Sequence, residues 1–125
     1  MLDAILKNRV LIVDDEHVIA DTLVLILNQS GFQARAAYSG EMAVEIALSM
    51  QPDVVISDVA MAGMNGIDAS ILISASIPQC RIILFSGQST TTNLYYRAKS
   101  QGHNFEILAK PVHPRVLLDH LNTAA

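Results

Sequence analysis

The sequence predicts an α/β domain of the (βα)5 kind, a doubly wound parallel sheet with helices on both faces. Two observations carry this. Five short runs suited to extended backbone recur along the chain, at Arg9–Val13, Phe32–Ala37, Asp53–Asp58, Arg81–Phe85 and Phe105–Ala109. Between them lie segments whose apolar residues recur with helical spacing. Strands alternating with helices argue for a parallel sheet covered on both sides, and right-handed crossovers make the doubly wound topology the economical one.

Taken in order, Met1 to Asn8 is a lead-in. Arg9-Val10-Leu11-Ile12-Val13 is a nearly unbroken apolar run ending on Asp14-Asp15-Glu16, the pattern of a strand buried on both faces. His17 to Ser30 carries Val18, Ile19, Leu23, Ile26 and Leu27 on one predicted helical face, with Gly31 as its stop. Phe32–Ala37 alternates roughly and reads as a weaker strand. Ser39 is the expected N-cap of the second helix, Glu41 falls in its first turn where the dipole favours an acid, and Met42, Ile46, Ala47 and Met50 are the expected inward stripe. Pro52 then leads into the central run, Asp53-Val54-Val55-Ile56-Ser57-Asp58.

The segment from Val59 to Gly66 contains two glycines and an Asn and reads as a loop. Ile67–Ala75 is the third helix, with Ile71 and Leu72 expected inward, and Pro78 ends that region. Arg81–Phe85 is a third strongly apolar strand, ending on Ser86-Gly87. Ser89–Gln101 is a fourth helix with a thin apolar face, Leu94 and Ala98, and with Tyr95 and Tyr96 as exposed candidates; Gly102 stops it. Phe105–Ala109 ends on Lys110-Pro111, and Pro114 suits the first turn of a last helix burying Val116, Leu117 and Leu121.

Composition narrows the function classes. The 125 residues suit one domain over 1–125, and 51% hydrophobic residues argue against disorder. A net charge of −4 without a basic cluster is a poor basis for direct nucleic-acid binding. Cys80 is the single cysteine, so no internal disulfide can form, which suits a reducing compartment. The longest helical apolar run, Leu23–Leu27, falls far short of the ~20 residues that span a bilayer. Asp3 and Lys7 interrupt the start, and no signal-peptide pattern is present. The expectation is a soluble, cytoplasmic protein with no membrane partner.

The strands end in chemistry. Asp14 and Asp15, Asp58, Ser86 and Lys110 each follow or close a predicted strand, and in a parallel sheet those ends share one edge, where ligands of open α/β sheets bind. Each residue alone has an ordinary reading: an aspartate starts a turn or caps a helix, a serine sits in a turn, a lysine is solvated. Together they crowd three carboxylates, which raise one another's pKa while ionised. A divalent cation relieves that crowding, and hard oxygen ligands favour Mg²⁺ or Mn²⁺ over zinc. Metal, ammonium and hydroxyl around a central carboxylate make an anion trap, in which that carboxylate can attack phosphorus. His17, His103, His113 and His120 are scattered and read as surface or capping residues, and Met61 and Met64 as loop anchors into the core.

At these residues the chain resembles, over essentially its whole length, the receiver domain of two-component response regulators. The matching motifs are Val10-Leu11-Ile12-Val13-Asp14-Asp15-Glu16, Asp58-Val59-Ala60-Met61-Ala62-Gly63-Met64-Asn65-Gly66, Leu84-Phe85-Ser86-Gly87 and Lys110-Pro111. The resemblance implies a flavodoxin-like fold with strand order 2-1-3-4-5. It implies that Asp58 accepts a phosphoryl group from a phosphohistidine on a sensor histidine kinase or a histidine phosphotransfer protein. Asp15, Asp58 and the Ala60 carbonyl would ligate Mg²⁺ directly, and Asp14 through a bound water. Ser86 and Lys110 would bind the phosphoryl oxygens, and the Lys110–Pro111 bond would be cis. Phosphorylation would switch the surface of the fourth helix, fifth strand and fifth helix for an unidentified downstream protein, in a monomer or a weak phosphorylation-dependent dimer. Beyond its own Mg²⁺-dependent aspartyl phosphorylation and dephosphorylation, no enzyme activity is implied.

The chain also departs from the family pattern. Ala62 stands where most members have proline, Ser86 replaces the commoner threonine, and Ile107 holds the place of the usual aromatic switch residue, with Phe105 on the same strand face. Ala60, two past the acceptor, offers no polar side chain to orient a hydrolytic water, so a long-lived phosphoryl state is expected. The rival readings are a phosphorylation-independent receiver-like interaction module, a flavodoxin-type electron carrier and an Asp-nucleophile phosphatase. Asp14-Asp15 would repel a flavin phosphate, and Asp14-Asp15-Glu16-His17 lacks the alternating carboxylates of the phosphatases. No output domain lies within these residues, which favours a stand-alone receiver acting as a relay intermediate or a binding switch.

Overall fold

The computed structural model describes residues 8–87 and 91–122, with the backbone alone over 91–95. Five strands and five helices alternate: β1 Arg9–Val13, α1 His17–Gln29, β2 Gln33–Ala37, α2 Gly40–Met50, β3 Val54–Asp58, α3 Gly66–Ser76, β4 Arg81–Ser86, α4 Thr91–Ser100, β5 Glu106–Ala109 and α5 Pro114–Asn122. The strands form one parallel sheet in the order β2-β1-β3-β4-β5. Fold class and strand order match the expectation. The lead-in before Asn8 and the predicted helix start at Ser89 lie outside the described residues.

Side-chain alternation along the strands builds two cores. Leu11, Val13, Val55, Ile82 and Leu84 pack on one face against Ala43 and Ala47 of α2, Ile67 and Ile73 of α3 and Ala98 of α4. Val10, Ile12, Ile56, Ile83 and Phe85 pack on the other against Ala20, Leu23 and Leu27 of α1 and Leu117 of α5. β3 is buried at all five positions, as a central strand with helices on both sides must be.

Helix ends follow local chemistry. Ser39 caps α2 by accepting from Met42 N–H at 3.0 Å, and Asn65 caps α3 by accepting from Asp68 N–H at 2.9 Å. Gly31 takes φ +98° after α1, and Gly102 φ +92° after α4. The Lys110–Pro111 peptide is cis.

The buried helix faces differ from several expectations. In α1, Val18 is 78% exposed and Ile19 is also exposed, while Ala20, Leu23 and Leu27 are inward. In α2, Met42 is exposed, Ala43 and Ala47 are buried, and Ile46 and Met50 are half-buried against the core. In α3, Leu72 is exposed, Ile71 is half-buried, and Ile67, Ala69, Ser70 and Ile73 are buried. In α5, Val116 is 52% exposed, Leu117 is buried, and Leu121 packs at the margin. The reason is common to all four. In α1, α2 and α3 the helices lie close on the sheet where their side chains are small, so alanines and serines help choose the phase, and in all four helices bulky residues that outnumber the core positions spill outward. Among the predicted tyrosines of α4, Tyr96 is exposed, and the side chain of Tyr95 lies outside the described set.

Candidate functional site

The carboxyl ends of β1, β3, β4 and the segment after β5 converge, as the strand pattern requires. Asp14 and Asp15 follow β1, Asp58 ends β3, Ser86 ends β4, and Lys110 follows β5. Asp15, Glu16, Asp58, Ala60, Phe85, Ser86, Gly87 and Lys110 line one open cavity of about 170 Å³. That is roughly the volume of five or six waters in the liquid.

One oxygen each from Asp14, Asp15 and Asp58 lies within 4.8 Å of the other two. Asp14 and Asp58 are buried, and Asp15 is exposed at the mouth. Lys110 Nζ sits 3.0 Å from Asp58 Oδ1 and 3.6 Å from Asp14 Oδ2. Asp14 Oδ1 accepts from Glu16 N–H at 3.0 Å, whereas its Oδ2 accepts no hydrogen bond among the described residues. A buried carboxylate oxygen without a donor is costly.

Electrostatics follow from this crowding. Burial pushes the Asp58 carboxyl above the usual carboxylate range; the ammonium of Lys110 works against the rise, and the charges of Asp14 and Asp15 add to it. For Lys110, burial disfavours the ammonium, but the hydrogen bond to Asp58 and the charges of Asp58, Asp14 and Glu16 outweigh it. Its pKa lies above that of an ordinary lysine, so the ammonium is kept at neutral pH.

The glycines in the loop after Asp58 have structural reasons. A Cβ on Gly66 would collide with the Asp58 carbonyl and Ser57 Oγ, so only glycine lets α3 start this close to β3. Gly66 N–H donates to Val59 O at 2.9 Å, closing the base of the loop. Met61 packs against the core, as predicted for a loop anchor.

The structure brings all the predicted site residues, Asp14, Asp15, Asp58, Ala60, Ser86 and Lys110, to one place. The sequence reading missed Glu16 and Phe85 as lining residues. Glu16 had a signal, its place beside the aspartates; Phe85 had none, because an apolar strand residue reads as core. Ile107 is 42% exposed on β5 and Phe105 is buried. His113 Nδ1 accepts from Arg115 N–H, in keeping with a capping role. His17 is exposed but stacks on Tyr38, and His120 is no bystander: its Nε2 lies 2.7 Å from Glu106 Oε1.

The donor set fits a hard divalent cation. Three carboxylates meet without an imidazole or thiolate among them, and the buried Oδ2 of Asp14 accepts no hydrogen bond among the described residues. Asp14, Asp15 and Asp58 would hold it, with the Ala60 carbonyl on the adjoining loop.

Comparison with known proteins agrees. The family model of the response regulator receiver domain matches residues 10–122. The autoinducer 1 sensor kinase/phosphatase LuxN of Vibrio campbellii is 42% identical over 80 residues, which is 64% of this chain and 9% of LuxN. The DNA-binding response regulator MtrA of Mycolicibacterium paratuberculosis is 27% identical over 90% of this chain and 49% of MtrA. The chain thus spans about half or less of the length of these relatives. The solved chemotaxis protein CheY4 of Vibrio cholerae superposes with TM-score 0.79 at 27% identity, covering 90% of this chain and 94% of that one. A two-component transcriptional regulator of Clostridium phytofermentans gives TM-score 0.75 at 34% identity, over 90% and 87% of the two chains. With a matching family model over nearly its whole length and the acidic pocket where four strands end, the chain belongs to the response regulator receiver domain family.

Proposed function

We propose that the chain acts, over 1–125 as one domain, as a phosphoacceptor in a two-component or phosphorelay system, with Asp58 taking a phosphoryl group from a phosphohistidine. The observation that carries this reading is the 3.0 Å contact of Lys110 Nζ with Asp58 Oδ1 inside a cluster of three carboxylates. A carboxylate oxygen of Asp58 attacks phosphorus; the P–O bond forms as the P–N bond breaks, and the electron pair returns to the donor imidazole. The Lys110 ammonium faces the transferring oxygens, and the Ser86 hydroxyl, on the same wall, donates to one of them. Asp15, Asp58 and the Ala60 carbonyl, with Asp14 beside them, would hold Mg²⁺ or Mn²⁺, which would supply neutralisation of the phosphoryl charge. Ala60 leaves no side-chain acceptor for an attacking water, so the acyl phosphate is long-lived.

The donor is a sensor histidine kinase or a histidine phosphotransfer protein, and the product is a bound state rather than a released molecule. Its readout is a population shift at α4, β5 and α5, where Tyr96, Ile107 and Val116 are exposed for a downstream protein. The working compartment is the cytoplasm, and no helix among the described residues is long and apolar enough to cross a membrane. Acetyl phosphate with Mg²⁺ should add one phosphoryl mass to the intact chain, and a pulse–chase should show it persisting for minutes or longer. Loss within seconds contradicts the proposed role of Ala60. No mass gain in the wild-type chain supports instead a phosphorylation-independent interaction module, a reading favoured by the exposed Ile107 where an aromatic switch residue is expected.

A further inference from the structure

The loop that carries Ala60 is gripped from a second direction, by α2. Glu41 Oε2 accepts a hydrogen bond from Met64 N–H at 3.2 Å. Gly63 takes φ +75°, and a Cβ there would press on Glu41 Oε2 at 2.9 Å. A Cβ on Gly40 would collide with the Met64 carbonyl. Two glycines, one on each side, therefore let the start of α2 lie against the tip of the loop. Ser39 already caps α2 through Met42 N–H. The Glu41 carboxylate is thus free of capping duty, and its second-position place in the first turn aims it outward.

From these contacts we infer that Glu41 is a positioning residue for the site: its carboxylate holds Met64 N–H and thereby fixes how the loop presents the Ala60 carbonyl. The loop needs such a tether. Its base is closed by Gly66 N–H to Val59 O, but position 62 is alanine, which leaves the backbone between those points unstiffened. The inference rests on the phosphoacceptor reading above for what the loop serves, but the tether itself is a separate, directly measurable contact.

The test uses the full chain as wild type, Glu41→Gln and Glu41→Ala. Both variants lose the charge that favours the helix start, but only glutamine keeps an acceptor oxygen in reach. Amide exchange at Met64 should quicken roughly tenfold in Glu41→Ala, the worth of one hydrogen bond, and stay within about threefold of wild type in Glu41→Gln. Mn²⁺ affinity by calorimetry should fall in the same order, with a roughly three- to tenfold loss in Glu41→Ala. Unchanged Met64 exchange in Glu41→Ala overturns the tether. Faster exchange with unchanged Mn²⁺ affinity overturns its link to the site, as does a Glu41→Gln protein that behaves like Glu41→Ala in both measurements. A wild-type chain that takes no phosphoryl group overturns the phosphoacceptor reading, and the exchange comparison still decides the tether.

Discussion

The two rims of the sheet hold similar charged groups and treat them in opposite ways. At the amino-terminal rim, Arg81 grips Glu106 with two bonds, Nε to Oε2 at 2.6 Å and a terminal guanidinium nitrogen to Oε1 at 2.8 Å. His120 of α5 closes on the same carboxylate at 2.7 Å. Asp53 accepts from Arg9 N–H at 3.0 Å. Each of these acids has its own partner, and Glu106 is held below the usual carboxylate range, chiefly by the Arg81 hydrogen bonds and further by His120, against the opposing effect of burial. At the carboxyl-terminal rim, Asp14 and Asp58 share the Lys110 ammonium with the Asp15 carboxylate beside them, a buried oxygen of Asp14 accepts no hydrogen bond among the described residues, and Asp58 is pushed up instead of down. A balanced rim serves stability. An unbalanced one costs stability and is complementary to something that arrives from outside, which on the proposed function is a cation and an anionic phosphoryl group.

The contrast breaks most sharply at Asp58. Asp58→Asn should abolish acetyl phosphate-dependent mass gain entirely while the fold persists; a variant that still gains a phosphoryl group would move the acceptor elsewhere. Magnesium gives the next largest effect. At ten times its dissociation constant it should stabilise the wild-type chain by about 1.4 kcal/mol, or roughly 4–7 °C in Tm. Chelation should remove that gain. Asp14→Asn should lose most of it, and should melt higher than wild type in chelator because one of three crowded charges is gone. Equal Mg²⁺ responses in the two proteins would remove Asp14 from the ligand set.

Acid sharpens the opposite rim. Glu106 titrates lower folded than unfolded, so its contribution is complete above the unfolded value of about 4.3 and is lost as pH falls through the folded value. Glu106→Gln should therefore cost about 1–2 kcal/mol at pH 7, after allowance for its partial exposure, and the gap to wild type should narrow in urea titrations as the pH is taken progressively below that unfolded value. A gap independent of pH would show that packing, not charge, holds α5 to β5 there. The smallest effect is at Cys80, beside the same rim, where burial first and the charge of Asp53 next push the thiol up to about 12. Native protein at pH 8 should resist iodoacetamide and label only once unfolded.

Much of the site was legible because period and topology left little freedom. An unbroken run such as Val54–Ile56 fits only a strand covered on both sides, and parallel strands put Asp14, Asp58, Ser86 and Lys110 on one edge whatever their loops do. Helix phase was less legible. Val18 and Leu72 are as apolar as Leu23 and Ile73, and α3 is apolar nearly all the way round, so period alone could not say which residues face the sheet. Contacts between distant polar side chains were not legible at all. Glu41 carries a sufficient local reason for its place, the helix dipole, and nothing in the chain announces Met64 as its partner. His120 likewise gives no sign of Glu106, which is 14 residues away.

The linear chain by itself determined which segments extend, which coil, and what chemistry terminates each strand, because those depend on neighbours a few residues apart. Only the tertiary structure decided how far apart the acids and the ammonium stand, which carboxylate oxygen is left without a donor, and which helix reaches across to hold the loop. Those outcomes depend on how closely two layers of helices settle onto one sheet. Small residues such as Ala20, Ala43, Ala47 and Gly66 set that closeness, through packing that exists only once the layers have met.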